Sequence, residues 1–235
     1  MTKIFSVLIV LVLFLTGCSR KSTYYPDPVS EFSATYSDYF TGESVVFTNT
    51  SSNAVSYDWD FGDGTFSGAY NPTHAYANSG DYTIILSAFN QSNIVTTSSI
   101  VIHVYIPATL NLKVFDYTKP LSDVDNANID LYGSLGDWNL HNINNAVALS
   151  ITDANGIAII NNLFPGDYYV DIYNNSYDNK SLGINNANSI VVTLHEGATT
   201  YANLSAVYLL KKSASVTRDL NRKNSSSPYH HPVKK

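Results

Sequence analysis

From Val29 onward the chain alternates apolar and polar residues in short runs, broken about every eight to twelve residues by Gly, Pro, Asn, Asp or Ser, the pattern of antiparallel strands folded into sandwiches. A period of two sends successive side chains to opposite faces. The pattern predicts strands over Ser44 to Thr48, Tyr57 to Phe61, Tyr82 to Ala88 and Ile100 to Tyr105. Pro107 interrupts, and a second series follows: Leu110 to Phe115, Ile129 to Tyr132, Ala146 to Ile151, Ile157 to Ile160, Tyr168 to Tyr173, Ile190 to Leu194 and Tyr201 to Tyr208. No segment sustains a 3.6-residue period, so almost no helix is expected in the mature chain. After Leu210 the alternation stops, and residues 211–235, with few large apolar groups, are expected to be disordered.

The first residues break the pattern differently. Ile4 to Leu15 is apolar except for Ser6, behind the single charge of Lys3. That run is shorter than the ~20 residues a membrane-spanning helix needs and fits a secretory signal peptide. It ends in Leu15-Thr16-Gly17-Cys18, which resembles the lipobox of bacterial lipoproteins. The resemblance implies cleavage before Cys18 and a diacylglycerol on its sulfur, with acyl chains such as palmitate. Two or three chains anchor a protein stably where one holds it marginally. The expected location is therefore the bacterial cell envelope, lipid-anchored to the outer membrane, with the periplasmic and outer sides left open. Cys18 is the chain's single cysteine, so no internal disulfide can staple the mature protein.

Composition adds two constraints. Charged residues make up 14% of the chain, below the ~25% of an average domain, and the deficit is filled by Ser, Thr, Asn and 18 Tyr, which suit half-buried strands and polar turns. The net charge of -6 hides an asymmetry. Residues 211–235 carry seven basic residues against Asp219, a net +6, whereas residues 19–210 carry five basic against 18 acidic, a net -13. A body so acidic repels nucleic acid, so no nucleic-acid partner is expected. The basic end could contact an anionic membrane, a cell-wall polymer or the acidic body, or be a solvated extension.

In the first series, Tyr57, Trp59 and Phe61 share one face and Asp58 and Asp60 the other. Gly62 and Gly64 permit a turn, and Asp63 can cap it through backbone amides. Trp59-Asp60-Phe61-Gly62-Asp63-Gly64, then Asn71-Pro72-Thr73-His74-Ala75-Tyr76, then Gly80-Asp81-Tyr82-Thr83 resemble the three signature stretches of the PKD domain, in order and spacing. The resemblance covers residues 29–105. It implies an immunoglobulin-like β-sandwich of about seven strands, found outside the cell in adhesins or beside hydrolases and not itself catalytic. Asp58, Asp60 and Asp63 suggest calcium or an acid pair. The EF-hand pattern fails, because its fifth position would be Gly62 and its twelfth Ala69. Strand alternation and turn capping explain all three acids, and His74 is expected to hydrogen-bond within the module.

The second series contains Lys119-Pro120-Leu121, Ile129-Asp130-Leu131-Tyr132, Thr152-Asp153-Ala154-Asn155-Gly156 and Leu163-Phe164-Pro165-Gly166-Asp167-Tyr168-Tyr169-Val170. That order is similar to the carboxypeptidase-regulatory-like and collagen-adhesin B-type sandwiches, the transthyretin-like group, over residues 108–210. It implies a spacer or stalk role, sometimes with glycan binding. Some stalk repeats of this kind carry a Lys-Asn isopeptide crosslink. Lys113 is the strand-borne candidate, but no motif supplies its partners. Trp138, within Gly136-Asp137-Trp138-Asn139, is the candidate ligand contact if its loop is exposed. The preferred alternative is a loop folded back over the core.

The expected architecture is all-β: a signal peptide over 1–17, an anchor and linker over 18–28, two tandem immunoglobulin-like β-sandwiches over 29–105 and 108–210, and a basic tail over 211–235. The expected function is lipid-anchored presentation of non-catalytic modules for carbohydrate or protein recognition, adhesion or spacing. The alternative is an accessory part of a secreted hydrolase system with a weak catalytic or calcium-binding role. No Gly-x-Ser-x-Gly, His-Glu-x-x-His or phosphate loop occurs in the sequence, and no cofactor is expected. Enzymatic activity would need loop acids such as Asp123, Asp125 and Asp137 to converge. Metal binding by Tyr229-His230-His231 is disfavoured, because two adjacent histidines rarely suffice.

Overall fold

The structure, a computed structural model, describes residues 23–116, 118–119, 122–140, 143–174, 177–178 and 191–208. Cys18, the signal peptide, the basic segment 211–235 and Tyr229-His230-His231 lie outside the described residues.

The first alternating series folds into two facing sheets. One holds β1 (Phe32–Ala34), β3 (Ser44–Asn49) and β6 (Thr73–Ala75) in the order β1-β3-β6. The other holds β2 (Asp38–Phe40), β4 (Ser56–Asp60), β5 (Phe66–Ser67), β7 (Gly80–Phe89) and β8 (Val95–Tyr105) in the order β2-β8-β7-β4-β5. Alternation dictates the core: in β3, Val45, Phe47 and Asn49 are buried while Ser44, Val46 and Thr48 are exposed. Phe32, Phe47, Trp59, Phe61 and Tyr76 pack with Ile84, Leu86, Ile102 and Val104 between the sheets. Phe32 meets Trp59 edge-on at 4.9 Å between ring centroids, and Phe47 stacks on Phe61 at 5.6 Å.

The sandwich begins earlier than the linker reading of 18–28 allows. Pro26 O accepts the Asn90 side-chain amide and Pro28 O accepts the Thr96 hydroxyl, so residues 26–28 are fastened to the module. The prolines lack an N–H, but their carbonyls remain acceptors.

The second series forms two layers. One contains β10 (Asn128–Tyr132), β11 (Ala148–Ile151), β13 (Gly166–Tyr173) and β15 (Val191–Leu194). The other contains β9 (Ala108–Asp116), β12 (Ile157–Leu163) and β16 (Thr199–Tyr208), with β16 parallel to β9. The two-residue β14 (Tyr177–Asp178) pairs with both β13 and β16 and joins the layers. The core is aliphatic: Leu110, Leu112 and Val114 from β9 meet Ile129, Leu131, Val170 and Ile172. A short helix, α1 (Leu135–Leu140), and a 3-10 turn over Ile143–Asn145 cross the outward face of β10 and β13. Ser134 caps α1 by accepting the Asp137 N–H at 3.1 Å. That cover explains why Ile129 through Tyr132 are all buried, on both faces of their strand.

Candidate functional site

The signature turn of the first sandwich is built from the side chains that the sequence singles out. Trp59 is fully buried and donates its indole N–H to Ala69 O at 2.8 Å. Asp60 accepts the Gly62 N–H at 2.9 Å. At Gly62, with φ +79°, a Cβ would lie 2.7 Å from Thr83 O, so no larger residue fits. Asp63 Oδ1 accepts both the N–H and the hydroxyl of Thr65, at 3.0 and 2.6 Å, and its Oδ2 lies 2.7 Å from His74 Nε2. The His74 ring stacks on Phe61 at 4.3 Å and meets Tyr76 edge-on at 4.6 Å. Tyr76, itself buried, donates its hydroxyl to Phe61 O at 2.9 Å. Tyr82, packed against Tyr76, donates its own to Asn78 O at 2.9 Å.

This is a latch between turn and strand. Partial burial would push the Asp63 carboxyl up, but hydrogen bonds from Thr65 and His74 outweigh it and hold the carboxyl below its ordinary value. Burial pushes the Tyr76 hydroxyl well above the usual tyrosine range, which keeps it a neutral donor. Thr65 and Asp63 both contact the same histidine nitrogen. A nucleophile-base-acid relay needs them on opposite ring nitrogens, so the cluster lacks that geometry.

Asp58 and Asp60 lie on the face of β4 opposite the Trp59 ring, with Asp60 also accepting the Gly62 N–H of the turn. With Ile85 and Ser87 of β7 and Phe66, Ser67 and Gly68 at β5, they line an open groove of about 580 Å³ on the outer face of the five-stranded sheet. Cross-strand register makes Phe66 the partner of Asp60, and Asp60 the partner of Ile85. Phe66 is 72% exposed, a large apolar ring held in solvent beside two carboxylates. No basic residue lines the groove. Such a surface can accept hydrogen bonds from hydroxyls or amines and offer a ring face for stacking.

Residues 26–104 match the family model of the PKD domain. That segment is a PKD module. The chain resembles the PKD1 domain of Vibrio cholerae metalloprotease PrtV at 34% identity, over 34% of this chain and 98% of that one, with a TM-score of 0.30. It resembles the PKD1 domain of Vibrio anguillarum Epp at 29% identity, over 34% of this chain and 96% of that one, with a TM-score of 0.30. A curated relative, a microbial collagenase of Vibrio alginolyticus, is 36% identical over 63 residues. These are 25% of this chain and only 8% of the collagenase.

The remaining candidate acids lie outside the PKD module and are scattered. Asp123 pairs with Lys113 Nζ at 2.6 Å. Lys113 also donates to Asn155 O, on a half-exposed outer face. Asp125 accepts from the Asn126 side chain at 3.1 Å. Asp137 accepts from the Ser134 hydroxyl at 2.7 Å and from Asn145 at 2.6 Å. No group of three His, Cys, Asp or Glu among the described residues is placed to hold a metal ion. Asp58 and Asp60 line the groove while Asp63 turns to His74, so the three acids considered for calcium do not converge.

Trp138, the candidate ligand contact if its loop were exposed, is instead buried, as the preferred reading of a loop folded back over the core expects. Its segment is helical, and the indole is only 3% exposed among Tyr132, Ala146, Leu149, Tyr169 and Val191. The indole N–H donates to Val170 O at 2.9 Å. Six residues, fewer than two helical turns, give no period from which the buried side could be read. Phe66 was missed for the opposite reason. β5 has two residues, too short to show alternation, and only its pairing with Asp60 fixes its face.

Proposed function

We propose that this protein is a lipid-anchored component of a bacterial cell envelope that presents two non-catalytic β-sandwiches for recognition. The groove beside Phe66, Asp58 and Asp60 is the contact surface and Cys18 the site of acylation. The observation that carries the reading is Phe66, a 72% exposed ring on a regular sheet face beside two carboxylates. Burying an exposed ring of this kind on a partner contributes favourably, and rigid aromatic anchors dominate recognition surfaces. The second sandwich, with its transthyretin-like resemblance, serves as a stalk.

The other acids and histidines support a non-catalytic role through what they hold. His74 and Asp63 close a turn, His103 and Asp81 pair at 2.6 Å, and Lys113 and Asp123 pair across a loop. A glycan array and an envelope-extract pull-down with the full chain test the reading. Ligands captured by the wild type and lost in Phe66→Ala support it. Silence in both leaves only the spacer role, and Cys18→Ser should release the protein from membrane fractions with both sandwiches folded.

A second reading has one observation in its favour. The 36% identity with a segment of a microbial collagenase fits an accessory module working beside a secreted hydrolase. In that case the groove would capture the hydrolase's substrate.

A further inference from the structure

We propose that the two sandwiches move as one rigid body, locked at three points around a link too short to bend. β8 ends at Tyr105 and β9 begins at Ala108, so only Ile106 and Pro107 lie between them. Val104 is buried in the first core and Ala108 in the second, which leaves three residues between one interior and the other. Pro107 fixes its own φ and restricts Ile106 to extended conformations.

Both polar backbone groups of Ile106 are tied to the turn between β15 and β16. Its N–H donates to Glu196 Oε1 at 2.9 Å, and its carbonyl accepts the Gly197 N–H at 3.2 Å. Gly197 has φ +64°, and a Cβ there would lie 3.2 Å from Ile106 Cγ2. The turn therefore approaches the link as closely as a glycine allows.

The third point is aromatic. Phe40 of β2 and Tyr105 of β8 are cross-strand partners, so they face the same way. Phe164, from the turn between β12 and β13 of the second sandwich, stacks on Phe40 at 4.1 Å and 18°. It meets Tyr105 edge-on at 5.7 Å and 86°. Both are favoured arrangements for ring pairs. Modules joined through a small interface usually move relative to one another. Here the covalent link, the Glu196–Gly197 turn and the Phe164 clasp are separate attachments, and together they oppose both bending and twisting. The groove on the first sandwich is then held at a fixed angle to the second, whatever the groove binds.

The test is a distance distribution between spin labels at T97C and I159C, both exposed and one on each sandwich, in the full chain carrying C18S. The expected result is one narrow distribution that becomes roughly two-fold broader in Phe164→Ala, as unlocked modules explore many orientations. Phe164 lies outside both cores, so the melting of each sandwich should be unchanged. Gly197→Ala, which acts at the other contact, should broaden the distribution independently. A broad wild-type distribution overturns the proposal, and so does one that neither variant alters.

Discussion

Trp59 and Trp138 are both buried, and each gives its indole N–H to a backbone carbonyl, yet they work on opposite sides of their sheets. Trp59 lies between the two layers of the PKD module, in contact with Phe32 and Phe47. Trp138 lies outside the second sandwich's aliphatic core, plugging the outer face of β10 and β13. The first module thus closes around aromatic rings that the signature turns fasten in place. The second closes around Leu, Ile and Val and then adds a helix-borne cover. On the same face of β10 and β13 as Tyr132 and Tyr169 sit Asp130 and Asp171, cross-strand partners that are both buried, with the Tyr173 hydroxyl donating to Asp130 at 2.9 Å.

The largest effect that would break this comparison comes from Trp59→Ala. Removing a buried aromatic costs about 3–5 kcal/mol through lost transfer energy and the cavity left behind. Because the two cores share no residue, calorimetry should show the PKD module's transition lost while that of the second sandwich stays. Loss of both transitions together would mean that the modules are one cooperative unit.

Trp138→Phe keeps most of the ring and removes the indole donor to Val170 O. Losing one buried hydrogen bond costs about 1 kcal/mol, and the loss should fall on the second sandwich alone in the same scan. A drop in ligand capture with no change in melting would instead return Trp138 to the role of a surface contact.

Asp63→Asn should cost about 1 kcal/mol at neutral pH, the scale of a hydrogen bond lost, and should change the acid response of the PKD module. The folded carboxyl lies below its ordinary value. Its stabilisation is therefore full above the unfolded pKa of about 3.9 and is lost as pH falls through the folded value. Urea midpoints from neutral pH to below that value should fall less steeply in the variant than in the wild type. The second sandwich offers an exposed counterpart. Asp153 accepts the N–H groups of Ile157 and Asn155, at 2.8 Å each, and these bonds hold its carboxyl below the ordinary range.

The longer strands were legible because alternation and burial describe the same face. β9 buries Ala108, Leu110, Leu112, Val114 and Asp116 and half-exposes the residues between them, which at Leu110, Leu112 and Val114 is how the sequence reads. The signature turn was legible for a related reason: Gly62, Asp63 and His74 have local roles that their spacing announces. β1, β2, β5, β6 and β14, each two or three residues long, carry too few positions to show a period. The fold-back of the Trp138 loop was the preferred reading, but its helical form and its distant partners, Val170 and Tyr169, are named by no local pattern. The groove was half legible: Asp58 and Asp60 were read as facing outward, but Phe66 joins them only through strand pairing.

The smallest effect on stability and the largest on function should come from Phe66→Ala. A side chain 72% exposed should change melting by no more than about 0.5 kcal/mol. The decisive measurement is therefore ligand capture by the full chain on glycan and envelope-protein arrays, comparing wild type, Phe66→Ala with Asp58→Asn, and Asp63→Asn. The account predicts that the groove variant loses the captured ligands with its melting unchanged, while Asp63→Asn keeps them at neutral pH. Ligands retained by the groove variant but lost in Asp63→Asn would contradict it and move the recognition surface to the latch.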